Sequence, residues 1–331
     1  MTYSLRTIAE EGLSKSSAKL LPIGTILLSS RATVGECSIN NVECTTNQGF
    51  QSLIAKENIS NEFLFYLVQT KRKDLIRKSC GSTFLEISAN EVRKIKITIP
   101  THKEQEKIGK LLALLDERIA TQNKIIEDLK KLKSAIIEKH YRQAEKQTVC
   151  IADLGEHFSV GNLAKDDLSE TGTPCILYGE LFTTYGETIS QIESRTNKTG
   201  GMVLSKKGDL LFPSSTTVDA VSLIAPSVIN IDNVVLGGDM FGIHINFNFD
   251  ALSYFFNHIA KRRLAKYAKG STIIHLHYAD IEKAKLLLPC LKEQHRMAKC
   301  LVSLDDKINI ETLSLNLLNN QKTYLLRHMF I

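Results

Sequence analysis

The chain repeats itself at an offset of 189 residues. Gly81-Ser82-Thr83 returns as Gly270-Ser271-Thr272, Pro100 as Pro289, Lys103-Glu104-Gln105 as Lys292-Glu293-Gln294, and Leu115-Asp116 as Leu304-Asp305. Solenoid units run to about 20–50 residues, so a period of this length means two copies of one larger module. With 331 residues, each copy has enough chain to bury a core of its own. Each copy reads as a mixed segment of short strands and helices, followed by a long helix.

The long helices are set by apolar spacing. Ile108, Leu112, Leu115, Ile119, Ile126, Leu129 and Ile136 step by three and four, and Met297, Leu301, Leu304, Ile308, Leu315, Leu318, Leu325 and Met329 keep the same step. This is a coiled-coil seam over about four heptads. Both copies interrupt it at the same rungs, Gln122 with Glu311 and Lys133 with Lys322. A polar group at a seam position lowers stability but fixes register and partner, so the matched interruptions predict that the two helices pair with each other. The helix-pairing residues are Ile108, Leu112, Leu115, Ile126 and Leu129 on one side, and Leu301, Leu304, Leu315, Leu318 and Leu325 on the other. Chain connectivity makes the pair antiparallel, with the mixed segments at opposite ends of a spacer of about 60 Å at 1.5 Å per residue.

Strand-like runs occur at Cys175-Ile176-Leu177-Tyr178, Asp209-Leu210-Leu211-Phe212 and Gly242-Ile243-His244-Ile245-Asn246, separated by Gly, Asn, Ser and Thr clusters. The first copy echoes them at Thr25–Leu28 and Gln51–Ile54. Helices are expected over about 251–268 and 61–78. The fold class is mixed α/β (α+β), with a strongly twisted sheet and no βαβ nucleotide unit.

Both of those helices end in basic clusters. Arg72, Lys73 and Arg77 match Lys261, Arg262 and Lys266 at the common offset, and Lys269 follows. Cations are favoured at a helix C-terminus by the dipole alone. Their position just before Ser82-Thr83 and Ser271-Thr272, however, makes them candidates for phosphate contact, because small loop residues let backbone N–H groups approach a phosphate or base edge. A second hydroxyl-rich loop, Ser214, Ser215 and Thr216, aligns with Ser30, Arg31 and Thr33 and carries groups suited to base and phosphate hydrogen bonds. Turns use the same residues. His275 and His277 share one strand face and invite a metal reading, but their counterparts are Glu86 and Ser88, and no further ligand stands beside them in sequence.

Several chemistries have no residues to carry them. The six prolines are never adjacent, so no Asn-Pro-Pro-aromatic motif for an exocyclic amine is present. There is no G-x-x-x-x-G-K-[ST] loop and no Gly-rich strand-to-helix turn, so neither a cofactor nor a catalytic residue is expected. Seven cysteines without a C-x-x-C pair fit a reducing, cytoplasmic setting. No apolar run approaches the ~18 residues that span a bilayer, so no membrane partner is expected. A net charge of +6 permits a polyanion partner without demanding one.

The strand-Pro-x-x-Lys-Glu-Gln passage into a Leu/Ile heptad helix (Ile97 to Gln105, Leu286 to Gln294) resembles the DNA-specificity subunit of type I restriction-modification systems. So do Leu20-Leu21-Pro22-Ile23-Gly24-Thr25, Ser29-Ser30-Arg31-Ala32-Thr33-Val34-Gly35 and Gly172-Thr173-Pro174-Cys175-Ile176. The resemblance implies two target-recognition domains joined by two long antiparallel coiled-coil helices in a pseudo-two-fold internal repeat. The segments are 1–100 (first target-recognition domain), 101–147 (first helix), 148–290 (second domain) and 291–331 (second helix). It implies a non-catalytic subunit that reads a bipartite site on double-stranded DNA and holds two modification (methyltransferase) subunits and restriction (motor-nuclease) subunits. A second copy of the chain is a further candidate partner. Aligning Gly24 with Gly208 sets Met1 beside position 185, so the first domain is expected to lack about 40 residues, the counterparts of Gly161, Tyr178 and Gly179 among them. Two other classes compete with this reading. One is a coiled-coil protein adaptor that reads no DNA; the other is a self-sufficient nuclease or methylase with diverged motifs.

Overall fold

The computed structural model describes residues 1–4, 6–81, 85–245 and 251–330. It divides into two compact units, one of residues 1–126 with 310–331 and the other of residues 127–309. Each unit therefore holds part of both long helices, which run His102–Gln143 and Leu291–His328.

In the first unit a three-stranded sheet has β1 (Ile26–Ser29) at its centre, antiparallel to both β2 (Cys37–Ile39) and β3 (Phe50–Leu53). All four β1 residues are buried, and Leu28 packs with Val34, Leu75 and Ile87. The helix Asn61–Thr70 starts on Ser60, whose hydroxyl accepts from the Phe63 N–H, and it buries Phe63, Tyr66 and Leu67 against Ile108 and Leu112 of the first long helix. Gly109 permits this approach, since a Cβ there would lie 2.9 Å from the Phe63 nitrogen. Leu325, Leu326, Met329 and Phe330 of the second long helix close the same cluster.

The second unit holds β4 (Gly155–Ser159), β5 (Thr188–Ile189), β6 (Asp209–Pro213), β7 (Ser227–Ile229) and β8 (Met240–Ile245), ordered β4-β8-β6-β7-β5 across one sheet. Its middle repeats the first unit: β6 is antiparallel to β7 and β8 as β1 is to β2 and β3, with Leu210 opposite Ile243 as Ile26 is opposite Leu53. A four-stranded sheet of Ser194–Thr196, Leu168–Leu177, Val235–Gly237 and Val203–Leu204 lies in the same unit. The core runs from Ile151 and Leu154 through Phe212, Phe241 and Phe256 to Leu286 and Leu288.

Within each unit the long helices are antiparallel. In the first, Ile108 and Leu112 cluster with Leu325 and Met329, Asp116 pairs with Lys322, and Gln122 with Glu311. In the second, Lys133 pairs with Asp305, and Ile137 packs on Met297 and Leu301. The seam residues Ile108, Leu112, Leu115, Ile126, Leu301 and Leu318 are buried, and Leu129, Leu304, Leu315 and Leu325 half-buried.

The Pro-x-x-Lys-Glu-Gln motif has a physical basis. Gln105 and Gln294 are buried, and each side-chain amide donates to the carbonyl of its own proline, Pro100 at 2.9 Å and Pro289 at 2.8 Å, fixing the chain where it enters the long helix. Gln105 also accepts from the Ser60 N–H at 3.1 Å and so ties the neighbouring helix to the long one.

Neither basic helix is continuous. The first breaks at Lys71 into Asn61–Thr70 and Arg72–Arg77. The second runs as Leu252–Phe255, a π segment Phe256–Ala260, Lys261–Leu264 and a 3-10 turn Ala265–Tyr267.

Candidate nucleic-acid interface

In the second unit, Leu264 and Ala265 are buried in the core, which anchors the basic segment and turns Arg262, Arg263 and Lys266 to solvent. Lys261 is half-buried, and its charge contributes to holding the Asp219 carboxyl below the usual carboxylate range, after the hydrogen bonds that carboxyl takes from Ser222. Among the described residues no carboxylate lies within ion-pair distance of Arg262, Arg263 or Lys266. The chain then reaches Gly270, whose φ of +119° and closeness to the Ile273 carbonyl exclude a side chain. Ser271, Thr272 and Ile273 are exposed. Ile274–His275 pairs antiparallel with Ser215–Thr216. That pairing sets the Thr216-Thr217-Val218 loop beside the Ser271-Thr272-Ile273 loop. The short helix Ala220–Leu223 that follows packs into the core that holds Leu264. Two stretches distant in sequence, 216–223 and 262–273, are thus brought together, and the rings of His275 and His277 stack on each other just after them.

The hydroxyl-rich loops divide by burial. Ser214 and Ser215 are buried, as is Ser30 in the first unit, so these three side chains are turned from solvent; Thr216 is half-exposed and Thr33 exposed. Lys269 is exposed, with its ammonium 2.5 Å from Asp280. Among the described residues no group of His, Cys, Asp and Glu is placed to hold a metal ion.

The first unit places its candidate cations Arg31, Arg72 and Arg77 against carboxylates. Arg31 pairs with Glu86 at 2.9 Å, Arg72 with Glu36 at 2.8 Å and Arg77 with Asp74 at 2.8 Å. Lys73 is exposed. Gly81 has the backbone of Gly270, with φ +122°, and Ser82 and Thr83 lie outside the described residues. Exposed pairs of this kind contribute about 0–1 kcal/mol, so a phosphate can displace the carboxylate at little cost.

Arg263 joins the candidate cations although its repeat counterpart is the acidic Asp74. Sequence reading missed a buried polar cluster. In the second unit Lys133 Nζ lies 2.5 Å from Asp305 and 2.8 Å from Glu187, and Tyr254 donates its hydroxyl to Asp305 at 2.5 Å. His258 Nε2 is 2.8 Å from Glu187, and the Lys133 ammonium stands 4.8 Å from the Tyr254 ring centre. Burial by itself would raise the Glu187 carboxyl, but the His258 hydrogen bond and the Lys133 charge outweigh it and hold that group at about 2. The first unit builds the same triad: Tyr66 donates to Asp116 at 2.8 Å, and Lys322 reaches Asp116 at 2.6 Å and the Tyr66 ring at 5.7 Å. Burial, reinforced by the bond to aspartate, pushes both tyrosine hydroxyls well above their ordinary range. The signal was in the sequence, as the repeated Leu-Asp pair and the repeated seam lysine.

The family model for the type I restriction modification DNA specificity domain matches residues 2–131 and 143–320. The chain belongs to that family. It is 38% identical over 129 residues to the MjaIX specificity subunit of Methanocaldococcus jannaschii, covering 38% of this chain and 30% of that one. It is 25% identical over 277 residues to the MjaVIII specificity subunit of the same organism, covering 75% and 64%. The chain thus spans less than two thirds of these relatives' own length. In fold it is similar to the type I restriction-modification S subunit from M. genitalium, with a TM-score of 0.64 at 16% identity over 95% of this chain and 84% of that one.

Proposed function

We propose that this chain is the specificity subunit of a type I restriction-modification assembly, a non-catalytic component that reads double-stranded DNA. The observation that carries the reading is the face of the second unit, where Arg262, Arg263 and Lys266 stand without carboxylate partners among the described residues, beside the loops at Thr216 and at Ser271-Thr272. Cations of this kind supply phosphate attraction, and the loops supply groups of base-reading type. Lys261, Lys269, Ser271, Thr272 and Thr216 in this unit, with Thr33, Arg31, Arg72, Lys73 and Arg77 in the first, are the proposed contact set. The two units read the halves of a bipartite target, with domains at 1–100 and 148–290. Modification and restriction subunits of that assembly are the proposed protein partners. They find exposed apolar side chains on the long helices, at Leu111, Leu114 and Ile125 on the first and Leu313, Leu317 and Tyr324 on the second. The proposed setting is the cytoplasm; among the described residues no helix is long and apolar enough to cross a membrane.

Replacing Arg262, Arg263 and Lys266 together by Ala should weaken binding to all duplexes alike. The slope of log K against log salt should flatten by about 0.9 for each phosphate that the protein no longer neutralises. Exchange of Ser271 or Thr272 should instead alter preference among sequences. The exposed apolar helix faces also favour a second reading, a protein adaptor that reads no DNA; absence of salt-dependent duplex binding by the intact chain would select it.

A further inference from the structure

Among the described residues, and besides an exposed contact of Arg296 with His140 at 3.3 Å, the seam carries three polar rungs that are at least half-buried, and they differ in what they can discriminate. Asp116–Lys322 and Lys133–Asp305 are the outer two, the first in one unit and the second in the other. Each helix bears an aspartate and, 17 residues later, a lysine (116 to 133, 305 to 322). An antiparallel pair of two second helices, one from each of two copies of this chain, would satisfy Asp305–Lys322 twice over, and two first helices would satisfy Asp116–Lys133. The outer rungs fix register and direction but are indifferent to whether the paired helices are unlike or alike.

The remaining rung is not indifferent. Gln122 donates from Nε2 to the Glu311 backbone carbonyl at 3.0 Å and also to the Glu311 carboxylate. The two positions are 189 residues apart, so each is the other's repeat counterpart, and here alone among the three rungs a helix meets its own equivalent. Pairing of like helices would set Gln122 against Gln122 and Glu311 against Glu311. The second of these juxtaposes carboxylates at a half-buried seam position, where like charges oppose association.

We propose that Gln122 and Glu311 are the contact that selects unlike-helix pairing within one chain over like-helix pairing between two copies. A single polar rung setting partner choice is a known capacity of coiled coils, and the unequal residues at otherwise matched rungs give this one its direction. Where the DNA-reading proposal holds, the consequence is that one subunit offers two different recognition units in place of one unit twice. Helix pairing itself is measured without DNA, so it stands or falls separately from that proposal.

The intact chain is refolded from denaturant at high concentration, its mass is read by light scattering, and a photo-crosslinking side chain introduced at exposed Asn316 reports whether two second helices meet. The unsubstituted pair should give monomer. Glu311→Gln removes the like-charge penalty and the charged hydrogen bond together, and should raise the dimer fraction about tenfold, with second-helix to second-helix crosslinks. Gln122→Glu places carboxylates together in every pairing and should lower the melting temperature without such crosslinks. The swap Gln122→Glu with Glu311→Gln rebuilds the contact reversed and should recover both monomer and stability. Equal dimer content in Glu311→Gln and the parent, or a swap no more stable than Gln122→Glu, would overturn the proposal.

Discussion

A lysine at position 133 stands where the helix seam would ordinarily take an aliphatic side chain, and its environment decides what that costs. Its ammonium is almost fully buried between Glu187 and Asp305, so Lys133→Met leaves two carboxylates without their cation. The expected loss is about 3–5 kcal/mol. Its counterpart Lys322 is half-buried against a single aspartate about one third exposed, and Lys322→Met should cost about 1 kcal/mol. Urea unfolding of the two variants checks the ratio. Glu187 adds a pH dependence. Its folded carboxyl sits at about 2, below its ordinary 4.5. The stability it contributes is therefore fully present above about 4.5 and is lost as pH falls toward 2, for a total of order 3 kcal/mol. Glu187→Gln should be less stable than the parent at pH 7 and should flatten its stability profile between those values; an unchanged acid limb would mean the carboxyl is not held down by His258 and Lys133.

Elements differ in how much of them the sequence discloses. The long helices were legible because a 3.5-residue apolar period has one structural meaning, and the central strands because Ile26-Leu27-Leu28 and Leu210-Leu211-Phe212 are uniformly apolar and uniformly buried. The triads were not, and the reason is local. Tyr66 and Tyr254 are 188 residues apart, whereas Arg72 and Lys261 are 189 apart. The π segment Phe256–Ala260 falls between the two tyrosine-to-cation landmarks of the second copy and absorbs the extra residue. A constant offset therefore sets Tyr66 against Phe255 and conceals the match. The burial of Ser214 and Ser215 was not legible for a different reason: hydroxyl side chains serve buried turns as readily as ligands. The π segment has a consequence that can be measured. Deleting Ile259 removes the extra residue and lets the segment close as a continuous α-helix in the first copy's register. Leu264 then stays in the core, and Arg262 and Lys266 stay at the proposed interface. A stability change within about 1 kcal/mol and an unchanged salt dependence of duplex binding are expected; a loss above about 2 kcal/mol with a flatter salt slope would mean that the π segment does not absorb the residue.

At the scale of the whole molecule the duplication has produced two units whose apolar clusters are separate. Phe63, Tyr66, Leu67, Ile108 and Leu112 form one cluster of the first unit and Leu28, Val34, Leu75 and Ile87 another, while the clusters around Phe212 and around Ile176 belong to the second. A sheet with its own core can change its surface loops without repacking its counterpart, since packing constraints act over contacting neighbours and fade beyond about 7–10 Å. The proposed reading of DNA by each unit then has a modular consequence. Replacing residues 148–290 by the corresponding span of another family member, with the polar-cluster residues Glu187, Tyr254 and His258 retained, leaves both seam helices and the first unit as they are. In cells that also carry the cognate modification subunit, the map of methylated bases should show a bipartite target in which one half-sequence changes and the other persists. If both halves change, the units are not independent readers. If neither changes although the hybrid folds and assembles, the second unit does not read DNA, and the cationic face around Arg262 serves another ligand.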